Sequence, residues 1–329
     1  MTTNWSAIRE AEFPIAREWA YFDHAAVAPI PRRAADAVRL WAENQALNGA
    51  VHWGTWGAKI EALRDDLAGW IRAGRDEIAF VANTTHGVGL VAEGFPWTPG
   101  DNVVLPAEEY PSNVYPWMNL ADRGVETRLV ETRDDRIHLD DLAAAIDDRT
   151  RILAISHVEF ASGFRNDLDA IGALCRSRGV AFFVDAIQGL GPLELDVSRT
   201  PVDFAAADGH KWLLGPEGAG FLYVRREWID RLRATGVGWH SVSASFSAKG
   251  LDFTLKPSAE RWEGGSCNMP GLQGFAASMA LLREIGPGAV AARLMDRAEA
   301  VRAVVEEAGW RVLGSRRPED LSAIVVAEA

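Results

Sequence analysis

The stretch ADGHKWLLGPEGAG, Ala207–Gly220, decides how this chain is read. Lys211 stands inside an apolar, glycine-punctuated run, between His210 and Trp212-Leu213-Leu214. The nearest acids in sequence are Asp208 and Glu217. A lysine held in a partly buried turn gives up its proton more readily, and its amine becomes a nucleophile able to form imines. A lone lysine is more commonly a solvated surface residue, so its neighbours decide between the two readings.

Outward from that stretch, short apolar runs alternate with segments of helical period. Strands are expected at Ile78–Val81, Asn102–Leu105, Arg151–Ser156, Ala181–Val184, Phe204–Ala206 and Gly220–Val224. Helices are expected at Pro31–Ala46, Ala58–Arg72, Asp140–Ile146 and Asp167–Arg178, with Gly179 as the stop of the last. Alternating strands and helices imply crossover units and a mostly parallel sheet, the α/β class. Ligands of such sheets lie at the carboxyl ends of the strands. Polar residues just after each strand are therefore the site candidates.

Four places qualify, Lys211 with His210 being one. Asn83-Thr84-Thr85-His86-Gly87 follows a strand and opens a helix, which suits either an anion site or a plain N-cap. Asp185 ends the apolar run AFFV, with Gln188 three residues on. A carboxylate there needs a partner, or it caps the next turn. Tyr110, in EYPSN after NVVLP, offers a flat face to a planar ligand or packs in the core. A phosphate cradle, an aromatic face, a buried acid and an imine-forming lysine together match one cofactor, pyridoxal 5′-phosphate. Its protonated ring nitrogen lets the ring take electrons from a substrate carbanion.

Composition narrows the field further. The chain has 329 residues, 48% hydrophobic, enough for a sizeable core and more than one domain. The net charge is −12 with no opposing basic cluster, which argues against a nucleic-acid or anionic-membrane partner. The cysteines, Cys175 and Cys267, form neither a disulfide framework nor a metal-knuckle spacing and suit a reducing cytoplasm. No secretory signal is read in MTTNWSAIREAEFPIAREW, and no apolar run reaches the ~20 residues of a membrane helix.

FFVDAIQGLG (Phe182–Gly191) and DGHKWLLGPEGAGFLYV (Asp208–Val224) together resemble the class V aminotransferase and cysteine desulfurase-like family of fold type I pyridoxal-phosphate enzymes. The resemblance runs from YFDHAAVAP (Tyr21–Pro29) to EGGSCN (Glu263–Asn268). It implies a large cofactor-binding domain at 16–285, with a mostly parallel sheet flanked by helices. It also implies a smaller, incomplete α+β domain made of 1–15 and 286–329.

The resemblance assigns roles as well. Lys211 forms the Schiff base and shuttles protons at the substrate α-carbon. Asp185 pairs with the pyridine nitrogen, and Gln188 lies near the ring hydroxyl. Thr84 or Thr85 holds phosphate oxygens with the following N–H, at His86, and His210 adds a contact. Tyr110 stacks on the ring. Ser266 reaches the phosphate of a neighbouring subunit, which implies a homodimer with shared sites. His24, Ala25, Trp239, His240 and Ser241 are expected on the substrate side.

This chain also departs from the pattern. Asp208 replaces a serine common in desulfurases, and as a carboxylate it is expected to point away from the phosphate. Phe160 stands where many have an asparagine. The sequence stops at Ala329, in LSAIVVAEA, before the region that normally carries the carboxylate-binding arginine. A shortened chain or a different grip on substrate is the expectation. Cys267 beside Ser266, and Cys175 on an inner helix stretch, disfavour a persulfide-forming desulfurase. Aminotransferase is the first reading, C–S or β-elimination lyase the alternative, and a catalytically silent binding protein the third.

Overall fold

Ala181–Asp185 is buried at every position, and so are Phe204–Asp208 and Gly220–Val224. Strands without a polar face belong to a sheet covered on both sides. The computed structural model describes residues 3–245 and 250–329. Its strands are β1 (Ile78–Val81), β2 (Asn102–Pro106), β3 (Glu126–Val130), β4 (Thr150–Ser156), β5 (Ala181–Asp185), β6 (Phe204–Asp208), β7 (Gly220–Val224), β8 (Arg311–Val312) and β9 (Ala327–Glu328). Its helices are α1 (Trp5–Glu12), α2 (Arg32–Asn48), α3 (Trp53–Ile71), α4 (Thr84–Gly94), α5 (Tyr115–Met118), α6 (Leu139–Ala145), α7 (Leu168–Arg178), α8 (Met269–Ile285) and α9 (Pro287–Glu307).

β1 to β7 form one sheet in the order β1-β7-β6-β5-β4-β2-β3. Pairing is parallel from β3 through β6, while β7 runs antiparallel to both β6 and β1. This is the α/β architecture the alternating pattern implied. Side chains alternate between the two faces. Phe182 packs with Leu63, Phe221 and Phe275 on one face, and Phe183 with Val88, Trp117 and Phe204 on the other. Gly87 lets α4 lie close on the sheet, since a Cβ there would stand 2.8 Å from the Ala206 methyl group.

β3 was not among the expected strands. It is the edge of the sheet, paired only with β2, and its residues Glu126-Thr127-Arg128 are exposed or half-buried. An edge strand facing water lacks the apolar run that marks the others. The expected stop of α7 is present. Asp167 accepts from the Ala170 N–H at 3.0 Å, and Gly179 takes the left-handed φ of 67°. After α9, β8 and β9 pair in a separate two-stranded sheet. The range 1–15 expected for the small domain begins with residues 1–2, which lie outside the described residues. Among the described residues no helix is long and apolar enough to cross a membrane.

Candidate active site

The carboxyl ends of β1, β2, β5 and β6 converge on a cavity of about 700 Å³. Thr84, Thr85, Tyr110, Asp185, Gln188, His210, Lys211 and Ala25 all line it. The turn that carries Lys211 is tightly closed. Leu214 N–H donates to the Lys211 carbonyl at 3.0 Å, and Gly215 N–H to that of Gly209 at 2.7 Å. Leu214 takes a left-handed φ of 59°, strained for a branched residue and typical of a functional turn. That geometry accounts for a lysine in an apolar run: the turn holds Lys211, 9% exposed as a residue, at the cavity wall.

Burial pushes the Lys211 amine below its ordinary proton affinity, while Asp185, Asp208 and Asp23 pull it back up. Asp185, at the end of β5, is fully enclosed and pushed up to about 6 by burial, against the Ile187 N–H and Lys211. Lys211 Nζ lies 5.5 Å from the centre of the Tyr110 ring, and Phe160 meets that ring edge-on at 5.2 Å. At the start of α4, Asn83 Oδ1 accepts the His86 N–H at 2.9 Å. The cap reading is therefore met at His86. The first-turn N–H groups of Thr84 and Thr85 have no helical acceptor. The Thr84 hydroxyl is buried without a partner, and that of Thr85 donates to Ser112 at 2.7 Å.

Several candidates are engaged elsewhere. Gln188 donates to the Ala25 carbonyl at 3.0 Å and accepts from the Trp212 indole at 2.9 Å, tying the segment Tyr21–Pro29 to the lysine turn. The His86 ring accepts from the Ala82 N–H and is not on the cavity wall. His24 stacks on Trp212 and faces a separate apolar cavity of about 390 Å³. Trp239, His240, Ser241 and Ser266 do not line the lysine cavity. His240 Nδ1 stands 3.5 Å from Glu263, Ser241 accepts from Gly238, and Ser266 is exposed.

Asp208 does not point away: it ends β6, is buried, and lines the cavity. Residues singled out less sharply in the sequence also contribute. Asp23, Asn83, Ser112 and Glu217 line the wall. Glu109 lies behind Asp185, accepting from the Ser156 N–H at 2.5 Å and hydroxyl at 2.6 Å. Burial and the charge of Asp185 hold its carboxyl above the usual range. Asp23, Ser112 and Glu109 sit inside the motifs already quoted, so the signal was there. Asn83 announced itself as a cap.

A buried acid, a buried amine, an aromatic face and helix-start donors around one cavity define the wall of a fold type I pyridoxal-phosphate site. The fit is tested by an atom left over: the Thr84 hydroxyl is an orphan donor in the first turn of α4, where helix N–H groups have no helical acceptor. The family model for class-V aminotransferases matches residues 20–327, and the chain belongs to that family. A probable cysteine desulfurase of Methanothermobacter thermautotrophicus is 32% identical over 304 residues, 89% of this chain and 74% of that protein. The structure resembles an apo cysteine desulfurase of Thermococcus onnurineus NA1, with a TM-score of 0.88 and 27% identity over 100% of this chain and 83% of that one. It also resembles a cystine C–S lyase bound to its product cysteine persulfide, with a TM-score of 0.88 and 26% identity over 94% and 84% of the two chains. These relatives are desulfurases and a lyase, so the aminotransferase reading taken first from the sequence has less support than its alternative.

Proposed function

We propose that this protein is a pyridoxal-phosphate enzyme that cleaves a C–S bond by β-elimination from a cysteine- or cystine-type substrate. The observation that carries the reading is the buried Lys211 amine sharing one cavity with buried Asp185. Relatives named for C–S cleavage support the choice of bond. When bound, the cofactor supplies an electron sink for a carbanion at the substrate α-carbon. Thr84, Thr85 and His210 would hold its phosphate, Asp185 its ring nitrogen, and Tyr110 its ring face. Gln188 fixes the wall at Ala25 and Trp212 rather than offering its whole amide to a ligand.

Lys211 Nζ, with lowered proton affinity, accepts the α-proton and is the group able to return it. Asp185 as a carboxylate would hold a proton on the ring nitrogen. Elimination breaks the β-carbon–sulfur bond, and the electron pair leaves on sulfur. The aminoacrylate left behind takes up one water and ends as pyruvate and ammonia. Transamination needs the same first proton transfer and stays the second reading, favoured by the family's own description.

The reading extends to assembly. Exposed Ser266, in a turn away from this cavity, would serve the site of a second copy in a homodimer. Two-fold pairs are the commonest closed assemblies. The division into a large domain at 16–285 and a small one at 1–15 and 286–329 is part of the same proposal, as is a cytoplasmic location. The deciding experiment incubates the pure protein with pyridoxal phosphate and cystine or cysteine, measuring pyruvate, ammonia, sulfane sulfur and pyridoxamine phosphate separately. Pyruvate and ammonia in equal amounts, with no amino acceptor present, is the expected result. Pyridoxamine phosphate without pyruvate would favour transamination.

A further inference from the structure

Asp208 raises a problem for any reading of this cavity as an anion site. It is 3% exposed, lines the cavity with Thr84 and His210, and leaves Oδ1 without a hydrogen bond. A bare carboxylate so placed would repel a phosphate and would be costly to bury. Its place is fixed by the sheet, because Asp208 pairs with Gly220 on β7. A Cβ at position 220 would stand 3.0 Å from the Asp208 Cα.

The second oxygen resolves the conflict. Asp208 Oδ2 stands 3.0 Å from Nδ1 of His210, although the pair is off the line of a good hydrogen bond. Such contacts are commonly misaligned without ligand and tighten when it binds. A histidine ring donates from both nitrogens only as the imidazolium, with an acceptor at each. We propose that Asp208 is a positioning residue: in the complex its carboxylate accepts Nδ1–H of a doubly protonated His210, so that Nε2–H is presented to the anionic group of the ligand. An Asp–His pair then replaces a bare negative charge on the cavity wall. Lys211 also feels Asp208, so the test must separate the two partners. The inference rests on the functional reading above and specifies how that site takes its phosphate.

The experiment titrates Lys211→Ala protein, in which the lysine of the cavity wall is removed, with pyridoxal 5′-phosphate and with pyridoxal, following tryptophan fluorescence. Asp208→Asn is expected to weaken pyridoxal-phosphate binding at least about tenfold, the scale of one hydrogen bond to a charged group. Pyridoxal binding should not move, and in a His210→Ala background Asp208→Asn should cause no further loss. Tighter pyridoxal-phosphate binding by Asp208→Asn, or an equal loss with and without His210, overturns the inference. Nitrogen NMR of His210 in the unaltered holoprotein is an independent measurement should the variants fold poorly. Protons on both ring nitrogens support the proposal, and a bare Nδ1 or Nε2 overturns it. If the unaltered protein binds no pyridoxal phosphate, the functional reading falls and this inference falls with it. A tightened Asp208→Asn on a binding parent removes the inference alone.

Discussion

Two buried charge centres in this chain are built on opposite principles. Around Arg64, on α3, nearly every polar atom is answered. Its guanidinium donates to Glu263 at 2.5 and 3.2 Å, to Glu61 at 3.2 Å and to the Ile78 carbonyl at 2.9 Å. Glu263 also accepts the Phe80 N–H at 3.0 Å. Burial works against the Arg64 charge, but Glu263 and Glu61 together outweigh it and hold the proton more firmly than usual. Around Lys211 and Asp185 the opposite holds. Burial dominates both groups and is only partly offset. Thr84 and Asp208 keep buried oxygens with no partner. A satisfied buried cluster braces a fold, while an unsatisfied one that lines a cavity is prepared for a ligand.

The largest expected effect breaks the second centre. Lys211→Ala removes the only group in the cavity read as the α-proton acceptor, so turnover should fall by at least the ~10²–10⁴-fold of general base catalysis. Its melting temperature should not fall, because a desolvated ammonium is removed. In the parent, borohydride reduction and peptide mapping should place a pyridoxyl group on Lys211. A label on another lysine, or retained turnover in Lys211→Ala, would refute the assignment.

Arg64→Met tests the first centre in the reverse sense. Removing one partner strands Glu263 in a buried site, which costs about 3–5 kcal/mol. Denaturant unfolding should show that loss, while turnover per folded, cofactor-loaded molecule stays near that of the parent. A turnover loss as large as that of Lys211→Ala would mean the two centres are not functionally distinct.

The pH dependence of the apoprotein gives a subtler contrast. Asp185 is pushed up to about 6 in the folded chain from an ordinary value of 3.8. The folded state therefore binds this proton more tightly than the unfolded one. The resulting stability is fully present below about pH 4 and is lost as pH rises through about 6. A shift of this size corresponds to about 3 kcal/mol. Glu109 and Glu159, both pushed up chiefly by burial, act in the same direction. His157, His24 and His86, held below their ordinary range chiefly by burial, act in the opposite direction over the same window. The test is therefore a difference: by calorimetry of the apoprotein from pH 4 to 7, Asp185→Asn should make the melting temperature fall less, or rise more, with pH than in the parent. An unchanged slope would mean that Asp185 titrates normally.

The sequence made this second centre legible and left most of the first hidden. Asp185 ends the apolar run of β5 and Lys211 follows β6 in a turn marked by glycines, where a charge is conspicuous. Helix-start and strand-end positions therefore predicted the cavity wall. Arg64 and Glu263 lie 199 residues apart, and nothing local in either segment announces the pair. The same limit applies to His240, expected on the substrate side. A backbone hydrogen bond from its N–H to Gly264 at 2.9 Å draws it toward Glu263 instead. Asp208 was misjudged for a different reason. Repulsion from a phosphate argued that it points away, but strand register fixes its direction, and the compensating contact is with the neighbouring His210.

The smallest effect gives the sharpest test of the comparison, because it should change sign with the ligand. The Thr84 hydroxyl is buried, 4% exposed as a residue, and has no hydrogen-bond partner. Such an unpaired group costs about 1–3 kcal/mol. Thr84→Val keeps the shape and removes the polar atom, so the apoprotein should gain about 1 kcal/mol. The same change takes away one donor at the start of α4, so pyridoxal-phosphate affinity should fall, by about tenfold for one charge-assisted hydrogen bond. Calorimetry on the apoprotein and a cofactor titration read the two signs separately. A loss of stability in the apoprotein would show that Thr84 is satisfied without ligand and belongs with Arg64. A gain in stability with unchanged cofactor affinity would show that the orphan oxygen is an ordinary packing defect. Only opposite signs fit a hydroxyl left unpaired for a phosphate.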